Sequence, residues 1–145
     1  MSLSMKLTPA QDSTQPSEAT RNRVTLVPMT QDDLDAVIAI EQTAYSHPWS
    51  RGNFRDSLNP LFEAQCLWLD GELLGYFLAM HGVDEMHLLN ITVAPAHQGQ
   101  GWGHMMLEAL SLMSRHAGAQ WLWLEVRQSN QRALQVYARY GFKQV

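Results

Sequence analysis

Apolar residues recur along the chain at the two spacings that helices and strands require. They come every three or four positions over residues 34–45, 106–113 and 133–138, which predicts three amphipathic helices. A shorter helix is expected over residues 50–58, which begin with serine, a residue type that favours the N-cap position.

Apolar and β-branched runs predict the strands of the fold. They cover residues 24–27, 64–69, 73–80, 86–93 and 121–126, and a last strand opens at Phe142. Asp70-Gly71 joins two of these runs and is a strong hairpin signal. The predicted order, β-α-α-β-β-β-α-β-α-β, is that of an α/β fold. Its mixed sheet is expected to be antiparallel in the first half and to have parallel crossovers in the second.

Residues 1–22 differ in character from the rest of the chain. They are polar, rich in Ser, Thr, Gln and Pro, and follow neither spacing. Such a segment cannot bury enough apolar surface to offset the entropy lost on ordering. We therefore expect a disordered leader over residues 1–22 and one domain over residues 23–145.

The composition excludes several classes of protein. Of the 145 residues, 46% are hydrophobic and 17% charged, as in ordinary globular domains. The 10 Lys and Arg against 14 Asp and Glu give a net charge of −4, which argues against a general nucleic-acid binder. No stretch approaches the roughly 18 apolar residues of a membrane span. We therefore expect a cytoplasmic protein whose partners are neither nucleic acid nor membrane.

A glycine-rich loop separates the strand over residues 86–93 from the helix that follows. It reads His97-Gln98-Gly99-Gln100-Gly101-Trp102-Gly103. Glycines let backbone N–H groups line one concavity, and a helix start adds positive potential, so this loop can hold a diphosphate without lysine. Its spacing matches neither the Rossmann nor the Walker motif. A tight strand-to-helix turn explains the glycines equally well.

With its neighbours, this loop resembles a known family. Gln98-x-x-Gly101-x-Gly103, after residues 89–95, is similar to the pyrophosphate loop of GCN5-related N-acetyltransferases (GNAT). The order of elements over residues 23–145 also resembles the GNAT fold. Similarity to the ribosomal-protein-alanine N-acetyltransferase branch is found at residues 47–50, 123–127, 129–130, 136–137 and 140–142.

The resemblance implies an enzyme that transfers an acetyl group from acetyl-CoA to the α-amine at the N-terminus of a protein. The implied acceptor is the N-terminal alanine of a small-subunit ribosomal protein. It implies Glu125 as the general base and Tyr137 as the acid that protonates the coenzyme A thiolate. The implied coenzyme-binding residues are Ile91, Thr92, Val93, Gln98, Gly99, Gln100, Gly101, Trp102, Gly103, His104 and Asn130. A backbone N–H within residues 91–93 is expected to stabilise the oxyanion.

The chain departs from the family pattern in its loop and at its end. Gly99 and His104 stand where the family often has basic residues, so the loop is less positive and weaker coenzyme binding is expected. The family sheet continues beyond Gly141-Phe142. The resemblance therefore implies a sheet that lacks its last one or two strands, with an open edge.

The residues themselves allow two interpretations of each catalytic candidate. By strand alternation Glu125 shares a face with Trp121 and Trp123, where desolvation would raise its pKa toward a useful value. Alternatively it faces solvent or pairs with Arg127. Tyr137 lies on the apolar face of the last helix, where it is either an acid or a core aromatic residue.

Weaker signals concern the acceptor. Glu41 lies on an apolar helix face, where it either binds the substrate amine, forms a buried ion pair or bends to solvent. Trp49 resembles a residue near the peptide groove and is equally explained as a packing residue at a helix start. The six histidines and Cys66 have no metal-site spacing, so no metal is expected.

The acidic balance suits a basic N-terminal peptide as acceptor, and it also suits a polyamine. Two alternatives to the ribosomal-protein function therefore remain. One is a GNAT enzyme that acts on another peptide or small-molecule amine, and the other is a catalytically silent acyl-CoA-binding module.

Overall fold

A computed structural model of the chain describes residues 2–8, 19 and 23–145. Within them, strands β1–β7 cover Ser2–Leu7, Val24–Pro28, Phe62–Leu69, Glu72–Gly82, Glu85–Val93, Trp121–Arg127 and Lys143–Gln144. Helices α1–α4 cover Leu34–Ala44, Arg51–Asp56, Trp102–His116 and Gln131–Tyr140. Every element predicted from residue 24 onward is present, with its ends shifted by a few residues.

The predicted hairpin shows how local chemistry fixes the fold. Asp70 and Gly71 have φ values of 51° and 82°, the left-handed conformation that a two-residue β-turn requires at both positions. The turn brings Leu69 opposite Glu72, and β3 and β4 pair in antiparallel fashion from there.

The described strands form one mixed sheet in the order β2-β3-β4-β5-β6-β1-β7. Only β5 and β6 are adjacent and parallel; each of the other neighbouring pairs is antiparallel. The predicted mixed α/β sheet is thus confirmed. In the second half β7 runs in the same direction as β6, but β1 lies between them.

The start of the chain departs from the prediction. The expected disordered leader is wrong for Ser2–Leu7, which forms β1 and pairs with both β6 and β7. The apolar side chains that alternate along this strand explain the difference, because Met5 is 4% exposed and joins the core. Residues 1, 9–18 and 20–22 of the expected leader lie outside the described part. The predicted absence of one or two final strands stays a prediction.

Alternating residues of β4 pack into two hydrophobic cores, one on each face of the sheet. Phe77 packs beneath α3, in a cluster that includes Met106, Leu110 and Leu122. Tyr76 faces the other side, in a cluster built by α1, α2, β3 and β4. Helices therefore flank the sheet on both faces.

The candidate site lies where strands β5 and β6 separate. β5 and β6 pair only from Glu85 to Leu88, and Leu88 lies opposite Leu124. A register shift between Leu78 and Ala79 of β4 accompanies the end of this pairing. Residues 89–93 of β5 consequently have no described strand on their β6 side, and a fork opens between the two strands.

Candidate functional site

A cavity of about 600 Å³ opens at this fork. Its walls are the β5 edge, the glycine-rich loop, the start of α3, one side of α4 and the end of α1. It brings together ten of the eleven predicted coenzyme residues with Tyr137: Ile91, Thr92, Val93, Gln98, Gly99, Gly101, Trp102, Gly103, His104 and Asn130 line it. Gln100 is not among the lining residues. Its side-chain oxygen instead accepts a hydrogen bond from the Trp102 indole N–H at 3.0 Å.

The loop presents backbone rather than side chains to the cavity. Gly99 and Gly101 have φ values of 80° and 92°, and a Cβ added at either would meet no atom within 4 Å. Gly101 is the N-cap of α3 and no side chain caps that helix. The first N–H groups of α3 are therefore available to an anion, which favours the diphosphate interpretation over a simple tight turn.

Two arginines on α4 supply positive charge that the sequence interpretation missed. Arg132 and Arg139 both line the cavity, across from the loop. Arg132 donates a hydrogen bond to the side-chain oxygen of Gln98 at 2.7 Å. The loop itself has few basic residues, because Gly99 and His104 stand where the family often has Arg or Lys. The two arginines of α4 nevertheless give the cavity positive charge. The sequence signal was available, since Arg132 follows Asn130 by two positions.

Two carbonyl groups on the exposed edge of β5 already accept hydrogen bonds. The Ile91 carbonyl accepts from the Tyr45 hydroxyl at 3.1 Å, and the Val93 carbonyl accepts from the Gln98 amide at 3.1 Å. In a β-strand the N–H and C=O of one residue point to the same side. This edge therefore offers N–H donors to a ligand, which suits a carbonyl or oxyanion.

Tyr137 lies within the cavity wall. Its ring packs edge-on against Phe142, with ring centroids 5.7 Å apart. Burial raises the pKa of its hydroxyl well above the usual range, and the nearby Tyr45 adds to the shift. At neutral pH Tyr137 is therefore a neutral phenol that can donate a proton but cannot act as a base.

Glu125 does not line this cavity. It follows Leu124, the last β6 residue paired with β5, so it stands at the base of the fork. Its side chain is 59% exposed, and Oε1 lies 3.7 Å from Nε2 of His87. Both residues line a smaller depression of about 210 Å³. The burial expected from the two neighbouring indoles is absent, and the partner is His87 rather than Arg127.

Among the described residues Glu41 is buried without an ion pair, so two of the three expectations for it, the ion pair and the bend to solvent, are wrong. It does not line the cavity, and its binding of the substrate amine stays a prediction. It is 1% exposed. Oε1 accepts from the Tyr76 hydroxyl at 2.7 Å and from the Asn90 amide at 3.1 Å. Oε2 accepts from the backbone N–H of Trp49 at 2.9 Å. These three donors offset the cost of burying a carboxylate.

Trp49 and Asn130 have clear structural roles. The Trp49 ring packs on Phe54, with centroids 5.2 Å apart, just before α2 begins. It does not line the cavity, which favours the packing interpretation. Asn130 caps α4, accepting from the Ala133 N–H at 3.2 Å, and also lines the cavity. Its cap role and a ligand contact are geometrically compatible.

Neither a metal-binding cluster nor a membrane-spanning helix is present in the described part of the chain. In that part of the chain no group of three or more His, Cys, Asp or Glu side chains is arranged to hold a metal ion. Among the same residues no helix is long and apolar enough to cross a membrane.

Comparison with known proteins gives consistent results. Residues 34–142 match the sequence model of the acetyltransferase (GNAT) family. The [ribosomal protein bS18]-alanine N-acetyltransferase of Haemophilus influenzae is 34% identical over 113 residues, which cover 78% of this chain and 77% of that protein. Its Escherichia coli K12 counterpart is 36% identical over 112 residues, covering 77% and 76%.

Solved structures give the same result for the fold. The ribosomal-protein-S18-alanine N-acetyltransferase from Escherichia coli superposes with a TM-score of 0.79 at 34% identity, covering 84% of this chain and 79% of that one. The PaiA N-acetyltransferase from Thermoplasma acidophilum, solved with coenzyme A, gives a TM-score of 0.74 at 15% identity, covering 83% and 89%. At that identity the second similarity concerns the fold alone.

Proposed function

Because the chain belongs to the acetyltransferase (GNAT) family, we propose that it transfers the acetyl group of acetyl-CoA to the N-terminal alanine of ribosomal protein bS18. The observation that carries this proposal is the identity of 34% and 36% to two enzymes named for that reaction, over about three quarters of both chains. We further propose that the reaction takes place in the cytoplasm, without metal, nucleic acid or membrane.

Acetyl-CoA is the acetyl donor that this family uses, and the cavity suits it. The uncapped start of α3 and the backbone of residues 99–103 would hold the diphosphate, with Arg132 and Arg139 adding charge from α4. The N–H groups of Ile91 and Val93 would receive the thioester carbonyl. They would also receive the oxyanion that forms there.

The acceptor amine would approach from the Glu125 side of the fork. At neutral pH most of a peptide α-amine is protonated, because its pKa is about 7.7–8.0. Glu125 would take this proton, directly or through one water, since its carboxylate is exposed at the base of the fork. His87 lies beside it and could pass the proton on to solvent.

The remaining step concerns the leaving group. The neutral amine attacks the thioester carbon and a C–N bond forms. The nitrogen, now positive, gives up a second proton to Glu125, which has by then released the first one to solvent, and the C–S bond breaks. The sulfur leaves as a thiolate and takes the proton of the Tyr137 hydroxyl, which solvent then replaces. Burial keeps this hydroxyl protonated until then by raising its pKa. The products are an N-acetylated peptide and coenzyme A.

A turnover assay tests the proposal. The enzyme is incubated with acetyl-CoA and a synthetic peptide of the bS18 N-terminus, and the peptide mass is followed. An increase of one acetyl group on the terminal residue is expected. The same peptide with a blocked N-terminus is the matched control, and a polyamine is the competing acceptor. Acetylation of the polyamine alone would overturn the proposed substrate, and coenzyme binding without turnover of any amine would indicate a binding module.

A further inference from the structure

Tyr45 lines the cavity but has no role in the reaction proposed above. It follows α1 directly, in an extended conformation with φ −133° and ψ 146°. Its hydroxyl reaches β5, 46 and 47 positions away, where it contacts the Ile91 carbonyl at 3.1 Å and Thr92 Oγ1 at 2.8 Å. Both Tyr45 and Tyr137 line the cavity.

The buried carboxylate of Glu41 fixes which atoms donate in these hydrogen bonds, because it can only accept. The Asn90 amide nitrogen donates to Glu41, so the other end of that amide, Oδ1, is an acceptor. Thr92 donates its single hydroxyl proton to Asn90 Oδ1 at 2.7 Å. Its oxygen can therefore only accept from Tyr45. The chain of donors runs from Tyr45 through Thr92 and Asn90 to the buried carboxylate.

This direction decides what Tyr45 can offer to a ligand. A phenol has one proton, and here Thr92 and the Ile91 carbonyl share it. Burial also raises the pKa of the Tyr45 hydroxyl, so it stays neutral. Toward the cavity it presents lone pairs alone, and it acts there as a hydrogen-bond acceptor.

The position along β5 indicates which ligand group meets it. Gln98 of the loop holds the Val93 carbonyl, Tyr45 holds Ile91, and the last β5–β6 pair is Leu88 with Leu124, next to Glu125. At about 3.4 Å per strand residue, the Tyr45 contact on Ile91 lies roughly 7 Å from the loop contact on Val93 and about 10 Å from Leu88 at the base of the fork. That is between the coenzyme loop and the proposed base, where donor carbonyl and amine would meet.

We propose that Tyr45 accepts a hydrogen bond from an N–H of the acceptor amine and so orients the amine for attack; this rests on the proposed acetyl transfer. The carbonyls of Ile91 and Val93 are occupied, so Tyr45 supplies the acceptor that this part of the edge otherwise lacks. As the C–N bond forms, the nitrogen becomes positive and its N–H a stronger donor. One amine proton leaves to Glu125, another stays bound to Tyr45, and Tyr45 itself neither gains nor loses a proton.

The test is Tyr45→Phe, with Tyr76→Phe as the matched control. Both variants delete one tyrosine hydroxyl, but Tyr76 does not line the cavity. Its hydroxyl donates to Glu41, and its loss leaves in place the separate Asn90–Glu41 hydrogen bond that sets the direction at Tyr45. For Tyr45→Phe we expect kcat/KM for the bS18 peptide to fall roughly 10–150-fold, as for one hydrogen bond to a charged group. The dissociation constant of acetyl-CoA, measured by calorimetry, should not change. Tyr76→Phe should lower the melting temperature and leave both quantities unchanged.

The outcomes separate this inference from the proposed reaction. An unchanged kcat/KM for Tyr45→Phe overturns the inference and leaves the acetyl transfer intact, provided the wild-type enzyme acetylates the peptide. Weaker acetyl-CoA binding with unaltered peptide kinetics means that Tyr45 serves the coenzyme, and this too overturns it. If the wild-type enzyme turns over no peptide, the proposed function fails. In that case the affinity of the peptide for the coenzyme A-bound enzyme is measured by calorimetry. Equal affinities for wild type and Tyr45→Phe would contradict the proposed hydrogen bond between Tyr45 and the amine.

Discussion

Gly101 allows the backbone-binding account of the coenzyme to be tested apart from folding. We consider Gly101→Ala, the smallest change that places a side chain on the loop. An added Cβ meets no atom within 4 Å, so the substitution creates no clash within the protein. It does force an L-residue to adopt φ of 92°. The expected cost is about 1–2 kcal/mol of stability.

Gly118 supplies a matched control. It has φ of 83°, an added Cβ again meets nothing within 4 Å, and it lies just after α3, away from the cavity. Gly118→Ala should therefore cost about the same 1–2 kcal/mol. For a domain of this size that corresponds to a fall in melting temperature of roughly 3–8 °C.

Coenzyme binding should distinguish the two variants. In Gly101→Ala the methyl group would occupy the space that the diphosphate needs in order to reach the loop N–H groups. Loss of about two charge-assisted hydrogen bonds would cost about 3 kcal/mol or more, a loss of affinity of roughly 100-fold or more. Gly118→Ala should bind normally in calorimetry at a temperature where both variants are folded. Normal coenzyme binding by Gly101→Ala would refute the backbone-binding account. An equal loss of coenzyme affinity in both variants would mean that the loss comes from impaired folding.

Four further predictions concern single side chains. Glu125→Gln should lower kcat strongly at pH 7 and recover partly at high pH, where more free amine is present; a constant loss across pH would indicate a positioning role instead. Tyr137→Phe should lower kcat roughly 10–100-fold with little change in stability, and an acetyl donor with a more acidic thiol should narrow that gap; equal defects with both donors would remove the acid assignment. Glu41→Ala should lower the denaturant midpoint more than Gly118→Ala does, because it leaves three buried donors unpaired at about 1–3 kcal/mol each; a midpoint equal to that of the glycine variant contradicts this. Burial raises the pKa of the Cys66 thiol to about 12, so at pH 8 a thiol reagent should label it only after unfolding, and fast labelling of the native protein would be the contrary result.

The features that the sequence predicted well depend on residues close together in the chain. The Asp70-Gly71 turn requires two adjacent left-handed residues, and both adopt that conformation. The loop over residues 97–103 joins a strand to a helix that directly follow one another, so its position at the cavity could be inferred. Tyr137 lies on a helix whose spacing is clear, and its side chain lines the cavity; its role as the acid stays a prediction.

Features set by distant residues were missed. Tyr45 and Thr92 are 47 positions apart, and Arg132 and Gln98 are 34 apart, so no local pattern relates them. Strand alternation correctly put Glu125 on a face with two indoles, but it could not say what covers that face. The helices on that side pack on β3 and β4, and the Glu125 side chain is left 59% exposed.

The pairing of β1 also determines when this fold can be completed during synthesis. Ser2 lies opposite Arg127, a separation of 127 − 2 = 125 positions. At about 5–20 residues per second, a ribosome takes roughly 6–25 s to make the intervening chain. During that time β1 has neither of its neighbours, whereas the β3–β4 hairpin can already close. The half of the sheet that contains β6 and β7 therefore assembles last, and contacts of this length slow the final step.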